Sequence, residues 1–139
     1  VESESVVYGC IRDWPGPSSG DGNAWRLHNR KVLLELPKDA LWPFLGREMF
    51  SFCNEQEQGL YHTQVIHFGA TYREIEQQWS QWVKRFESLL AQLYWCSAVV
   101  HLETELKGRH VFRWTTVEGP HTVAHGAQNM RCAWERESR

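Results

Sequence analysis

The feature that most constrains the fold is an amphipathic segment between residues 72 and 93. Thr71-Tyr72-Arg73-Glu74 has the pattern of a capping box, which predicts that a helix begins at this point. Apolar residues then recur at spacings of three and four, at Tyr72, Ile75, Trp79, Trp82, Val83, Phe86, Leu89, Leu90 and Leu93. A helix with one apolar stripe must bury it against another element, so this segment predicts one layer of a two-layer domain.

The segments before this helix predict a strand, a short helix and two further strands, in that order. Residues 5–12 and 47–53 have β-branched, aromatic and alternating content, and residues 60–68 predict a strand that forms a hairpin with 47–53. Residues 23–36 predict a short helix with Asn23 as its N-cap. The intervening residues 13–22 are rich in Gly, Pro, Ser and Asp and predict a mobile loop.

A second hairpin is predicted after the amphipathic helix, from residues 95–105 and 109–116. A three-residue hairpin loop favours Gly at its left-handed third position, and Gly108 stands there. The resulting register pairs Glu105 with Arg109, Glu103 with Val111, and His101 with Arg113. One face of this hairpin then carries the apolar residues Val100, Leu102, Phe112 and Trp114. The other carries His101, Glu103, Glu105, Arg109 and Arg113.

The order of these elements predicts a single α+β domain over residues 1–139. It is the ferredoxin-like β-α-β-β-α-β order, an antiparallel sheet with two helices on one face, plus an added C-terminal strand. Residues 118–139 are predicted to form an irregular tail. Because both helices are expected on one face, the opposite face of the sheet is left for solvent or for a partner.

Composition narrows the classes of function. The 139 residues are 42% hydrophobic and 23% charged, with a net charge of −2, so neither disorder nor nucleic-acid binding is indicated. No apolar run is long enough for a membrane span. The acidic, polar start lacks the pattern of a secretion signal, and the expected compartment is the cytoplasm. Eight Trp residues predict a Trp-rich core, with some available as binding anchors.

Histidine and cysteine spacing predicts neither a metal site nor a cofactor. His121 and His125 have i, i+4 spacing but follow Gly119-Pro120 and lack the accompanying Glu of a zinc-protease helix. The four Cys residues form no C-x-x-C pair. A nucleophilic pairing of Cys96 or Cys53 with His67 remains open, although buried inert thiols are commoner.

The charged face of the second hairpin is the candidate binding site. His101, Glu103, Glu105, Arg109 and Arg113 predict a docking face on which carboxylates engage a basic partner and Arg residues set the register. The alternative is a solvated sheet face with weak cross-strand ion pairs. A second pair of candidate contacts, Trp14 and Trp25, lies at and beside the predicted loop.

About 40% of the chain, from Tyr61 to Trp114, resembles a known class of protein. The resemblance rests on the strand Gln64-Val65-Ile66-His67-Phe68, on the helix with Trp79, Trp82, Phe86-Glu87 and Leu90, and on the strand Ser97-Ala98-Val99-Val100-His101-Leu102-Glu103. These segments are similar to the small α+β immunity proteins of bacterial polymorphic toxin systems. The resemblance implies a cytoplasmic protein that binds a cognate toxin, often a nuclease, and covers its active site or an essential surface.

Two other classes of function remain open. A small cofactor-free enzyme of the ferredoxin-like class would use His67 or His101 as a base in a Trp-lined cavity between sheet and helices. A homo-oligomeric structural module, such as a homodimer, would pair sheet face to sheet face.

Overall fold

A computed structural model describes residues 4–13, 22–36, 45–51 and 65–137 of the chain. They form an α+β fold, in which one six-stranded antiparallel sheet is accompanied by two α-helices. The elements are β1 (Glu4–Asp13), α1 (Gly22–Leu34), β2 (Phe50–Ser51), β3 (Val65–Arg73), α2 (Trp79–Leu90), β4 (Trp95–Thr104), β5 (Gly108–Thr115) and β6 (Arg131–Glu137). Neither described helix has the length and apolar content needed to cross a bilayer.

The strands lie in the order β2-β3-β1-β4-β5-β6, so the first strand of the chain is in the middle of the sheet. β1 pairs with β3 on one side and with β4 on the other. Because successive side chains of a strand point to opposite faces, Val7 and Ile11 are fully buried while Val6 and Tyr8 are each 38% exposed. The sheet therefore has one buried face and one open face.

Both helices lie on the buried face. In α2, the Phe86 ring packs against Phe68 of β3 and Trp114 of β5, with ring centroids 5.4 and 5.0 Å apart. In α1, Arg26 forms an ion pair of 2.9 Å with the buried carboxylate of Asp13 at the end of β1. The apolar side chains of the two helices and the sheet thus form one continuous core.

The core confirms that several Trp residues are structural. Trp82, Trp95 and Trp114 are fully buried. A buried indole N–H needs an acceptor, and each of these has one. Trp82 donates to the Tyr72 hydroxyl at 3.2 Å, Trp95 to the Leu90 carbonyl at 2.9 Å, and Trp114 to a Glu87 carboxylate oxygen at 2.8 Å.

The predicted start of the long helix is wrong. Thr71-Tyr72-Arg73 continue β3, where they pair with Val6, Ser5 and Glu4 of β1. Glu74 then turns the chain with a left-handed φ of 55°, a short 3-10 helix covers Ile75–Gln78, and α2 begins only at Trp79. Pairing with the long central strand outweighs a local cap, because it satisfies the backbone groups of three residues at once.

The first half of the chain follows the predicted order with shifted boundaries. α1 spans most of the predicted helix, but it begins at Gly22, so Asn23 lies inside the helix and is not its N-cap. The hairpin of β2 and β3 is present, with Phe50–Ser51 paired to His67 and Phe68 within the described ranges. Residues 14–21 of the predicted mobile loop lie outside the described residues, as do 52–64 between β2 and β3.

The second hairpin has the predicted faces but a different register. Glu103 pairs with Arg109, His101 with Val111 and Val99 with Arg113. The turn covers residues 105–107, and Gly108 takes the expected positive φ of 80° as the first residue of β5. The Thr104 side-chain oxygen accepts the Lys107 amide at 2.7 Å, which closes the turn one residue earlier than predicted. A shift by two residues preserves the face of every side chain.

The predicted irregular tail is also wrong, because residues 131–137 form β6 along the outer edge of β5. Cys132, Trp134 and Arg136 pair with Trp114, Phe112 and His110, respectively. The alternation in this segment is obscured by its charged residues, so the sequence shows no apolar face. The free edge of β5 is what organises it into a strand.

The close approach of β1 and β4 at Gly9 leaves no room for a side chain. A Cβ at Gly9 would collide with the Val99 carbonyl oxygen and would lie 2.9 Å from the Phe68 ring. We expect Gly9→Ala to lower the free energy of unfolding by about 2–3 kcal/mol, measured by urea denaturation. The matched control is Gly69→Ala, since a Cβ there meets its nearest atom at an ordinary 3.5 Å. Equal stabilities of the two variants would contradict the close packing at Gly9.

Candidate docking face

The open face is the side of the sheet that lies opposite the helices. No element within the described ranges packs on it. Its residues come from five strands and mix aromatic, aliphatic and charged side chains: Val6, Tyr8, Cys10 and Arg12; His67 and Thr71; Val99, His101 and Glu103; Arg109, Val111 and Arg113; and Ala133 and Glu135.

Tyr8 organises the centre of this face. Its ring stacks on His101, its neighbour on β4, with centroids 4.8 Å apart and planes 11° apart. Its hydroxyl donates a 2.6 Å hydrogen bond to one carboxylate oxygen of Glu103. The other oxygen of Glu103 lies 3.3 Å from Arg109 Nε on β5. These four residues, which we name the Tyr8 cluster, join three strands on the solvent side.

The sheet register explains why these side chains meet. Tyr8 lies directly across from His101, and Glu103 lies directly across from Arg109. Glu103 is two residues beyond His101, so it is a diagonal neighbour of Tyr8, within reach of a long side chain. The cluster is thus formed by two cross-strand pairs and one diagonal contact.

The ion pair in the Tyr8 cluster is open to solvent. The side chains of Arg109 and Glu103 are 65% and 32% exposed. Exposed pairs of this kind contribute about 0.2–1 kcal/mol to stability. Glu103 therefore can exchange Arg109 for another cation at little cost to the fold.

The open face also has an apolar component. Val6 and Tyr8 are each 38% exposed, whereas Val111 is only 3% exposed although no described helix covers it. Its neighbours across the strands are His101 and Glu135. Aromatic and Arg side chains beside apolar surface are the composition typical of protein interfaces.

Four of the five charged or His residues predicted to contact a partner lie together on the open face, and the fifth lies in a turn. His101, Glu103, Arg109 and Arg113 share the open face, and Arg113 is exposed between Val99 and Ala133. Glu105 does not pair with Arg109 as predicted, because it lies in the exposed turn at the end of the hairpin. Whether these residues bind a partner stays a prediction.

The two predicted Trp contacts are not part of the open face as described. Trp25 lies on α1, on the helical side of the sheet, and its ring stacks on Tyr94 with centroids 4.6 Å apart. Trp25 is partly buried in that contact. Trp14 lies outside the described residues. Sequence reasoning missed Tyr8, although the alternation of residues 5–12 already places it on the face opposite Val7 and Ile11.

His121 is a structural residue. It is fully buried, stacks on Trp95, and places Nδ1 and Nε2 each 2.9 Å from a backbone carbonyl oxygen, those of Leu93 and Gly126. His125 instead accepts the Thr122 amide at 3.0 Å. Within the described ranges, no group of three or more His, Cys, Asp or Glu residues is placed to hold a metal ion.

The described thiols are poor nucleophiles at neutral pH. Burial raises the pKa of Cys10 and of Cys96. Partial burial, with a smaller effect of the Glu87 carboxylate, raises the pKa of Cys132 to about 11. The predicted pairing of Cys96 with His67 is not observed. Cys96 donates to the Asp13 carbonyl at 3.4 Å, and the residue across from His67 on β1 is Cys10. Cys53 lies outside the described residues.

Comparison with protein-family models, with curated proteins and with solved structures finds nothing similar to this chain. Function therefore has to be inferred from the geometry and chemistry of the chain itself.

Tyr8→Phe removes the hydroxyl that bonds Glu103 and keeps the ring that stacks on His101. We expect the free energy of unfolding to fall by less than about 1 kcal/mol, because the bond is solvent-exposed. Chemical denaturation measures the change. A loss of several kcal/mol would mean that the Tyr8 cluster is required for folding and is not available for a partner.

His121→Phe keeps a ring against Trp95 and removes the ring nitrogens that lie 2.9 Å from the carbonyl oxygens of Leu93 and Gly126, so the buried N–H···O bond is lost. We expect a loss of about 2 kcal/mol in the free energy of unfolding, measured by thermal or urea denaturation. His125→Ala is the comparison, with an expected loss of about 1 kcal/mol or less, since that ring caps a short exposed turn. A His121→Phe variant as stable as the parent protein would refute the structural role.

Proposed function

We propose that the chain is an immunity or other inhibitory protein that binds and neutralises a cognate bacterial toxin through the open face of its sheet. The observation that carries the proposal is the Tyr8 cluster, an ordered group of aromatic and charged side chains on a face that no described helix covers. An ordered polar network beside exposed apolar surface suits recognition of another protein, because little side-chain entropy remains to be lost on binding.

The open face carries charges of both signs, and its carboxylates, Glu103 and Glu135, are the groups that would meet basic residues of a partner. Glu103 is held by Arg109 through an exposed contact, so a cation of the toxin replaces Arg109 without breaking the sheet. Glu105, in the exposed turn at the end of the hairpin, adds a further carboxylate beyond the strands. We propose a nuclease as the toxin class, because a nuclease cleft presents to these carboxylates the basic residues with which it binds phosphates.

The aromatic and aliphatic residues of the face supply the anchors. Tyr8 and Val6 are exposed on the central strand, and hot spots of protein interfaces are enriched in Tyr and Arg. Arg113 lies on the same face, where it fixes the orientation of the partner. Complementary charge then raises the rate of association, and burial of the anchors lowers the rate of dissociation.

We assign the first four strands and both helices to a ferredoxin-like unit, the architecture that the resemblance to immunity proteins implies. The order β2-β3-β1-β4, antiparallel throughout and with one helix after β1 and one after β3, supports this assignment. β5 and β6 then widen the sheet at one side. In the proposal the protein acts in the cytoplasm, where it meets the toxin.

The alternative of a small enzyme is less well supported. His67 and His101, its candidate bases, both lie on the open face and not between the sheet and the helices. His121 lies inside, but both of its ring nitrogens contact backbone carbonyls. A general base must reach the substrate, and none of these three His residues lines an enclosed site among the described residues.

Binding to the product of the neighbouring gene tests the proposal. The two proteins are co-expressed and purified, and the dissociation constant is measured by calorimetry. Glu103→Arg is expected to weaken binding by about a hundredfold, or ~2.7 kcal/mol, because it sets a cation against the basic surface of the toxin. Growth of a bacterial host that expresses the toxin reports neutralisation.

Glu35→Arg is the matched control. Glu35 is exposed just after α1, on the helical side of the sheet, and its replacement makes the same change in net charge. The control is expected to keep the parent affinity and to protect the host. Equal affinity of the Glu103→Arg and parent proteins would exclude the open face as the toxin-binding site. Absence of any complex with the neighbouring product would count against the immunity role.

A further inference from the structure

β6 forms one edge of the sheet. It pairs with β5 on one side, and no strand of the described part of the chain pairs with its other side. Its ladder with β5 runs over seven residues without a register shift, and the strand contains no Pro. Natural edge strands are commonly shortened, bulged or interrupted by Pro to prevent pairing. β6 has none of these three features, but it does carry the charged side chains Arg131, Glu135 and Arg136. Charge also limits pairing at an edge, so a partner strand must match these charges.

The large side chain of β6 does not shield this edge. Trp134 is 60% exposed, but its indole N–H donates to His110 Nδ1 at 3.1 Å, and its ring stacks on His110 with centroids 5.8 Å apart. It also stacks on Phe112, with centroids 6.4 Å apart. Both contacts are with β5, so the ring leans inward over the sheet. The backbone of β6 is therefore accessible from outside.

The two ends of β6 carry opposite charges, so they match when the strand is reversed. Antiparallel pairing of two copies about a two-fold axis at Trp134 places Arg131 of one copy across from position 137 of the other, which is Glu. Arg131 is then also a diagonal neighbour of Glu135 of the other copy. Ala133 lies across from Glu135, and Cys132 across from Arg136, so no two like charges lie directly across from each other. The Glu135 residues of the two copies are diagonal neighbours on the same face, and each also has Arg131 of the other copy as its second diagonal neighbour. Neither Arg131 nor Glu135 has an ion-pair partner among the described residues.

We propose that a second copy of this chain pairs with the free edge of β6, antiparallel and in this register. Such pairing joins the two sheets into one of twelve strands, counted over the described residues. A two-fold axis normal to the sheet keeps all four helices on one side and both open faces on the other. The dimer therefore presents two open faces in the same direction. The association goes beyond the proposed function and does not depend on it.

Sedimentation equilibrium of the purified chain tests the association, with Arg131→Glu as the variant. In the dimer, Arg131→Glu places a carboxylate at position 131 of each copy across from Glu137 of the other copy. We therefore expect the dimer dissociation constant to rise at least about tenfold. Lys84→Glu is the matched control, because it makes the same charge change on the exposed side of α2, and it is expected to leave the constant unchanged. A parent protein that is monomeric up to about 1 mM would overturn the proposal.

Disulfide trapping tests the register. In a Cys132→Ser background, Trp134→Cys places two thiols at the axis, where facing Cα atoms are about 4.5–5.5 Å apart, a distance that a disulfide spans. Oxidation is expected to give a covalent dimer with Trp134→Cys and not with Ala133→Cys, whose thiol faces Glu135. The reverse outcome, or equal dimer in the unsubstituted background, would overturn the register. Circular dichroism of each variant verifies that the sheet is retained.

Discussion

The structure depends on burial of the aromatic stripe of α2 against one face of the sheet. Phe86 packs between Phe68 of β3 and Trp114 of β5, and the fully buried Trp82 stacks on it. These contacts join strands that are separated in the order by β1 and β4, so a single helix spans most of the width of the sheet. Burial of large aromatic surfaces is the dominant stabilising term in such a core.

Placement of both helices on one side has a direct consequence for the other side. The open face must be stable without a covering layer, and it achieves this with cross-strand pairs such as Tyr8 with His101 and Glu103 with Arg109. Stacking and charge-assisted hydrogen bonds keep these side chains ordered in water. The same ordering makes the face suitable for a protein partner, since binding then requires little rearrangement. In the proposed function, the residues that stabilise the uncovered sheet are also those that contact the partner.

In the proposed dimer, the position of β6 at the edge of the sheet determines whether the open face stays accessible. β6 lies beyond the reach of the helical layer, with Trp134 held inward on β5 by His110 and Phe112. The edge it presents is paired with β5 over seven residues without a register shift, and the opposite charges at its two ends match those of a reversed copy. An edge-to-edge dimer leaves the Tyr8 cluster uncovered in both copies. Face-to-face pairing would bury it, so the two modes of assembly have opposite consequences for binding of a partner.

The sequence by itself determined the α+β class, the apolar stripe of α2 and the opposite faces of the hairpin that carry Val100, Leu102, Phe112 and Trp114 and, on the other side, His101, Glu103, Arg109 and Arg113, because local periodicity sets these features. It also placed Gly108 in a left-handed conformation. Tertiary structure decided the rest. At the start of β4, a register shift places the fully buried Trp95 on the helical side, which alternation alone does not predict. Pairing with β1 drew residues 71–73 into β3 and displaced the capping box, and the free edge of β5 organised β6 from a charged tail. The contacts of Tyr8 depend on strands 95 residues apart in the chain, and no local pattern encodes such a separation.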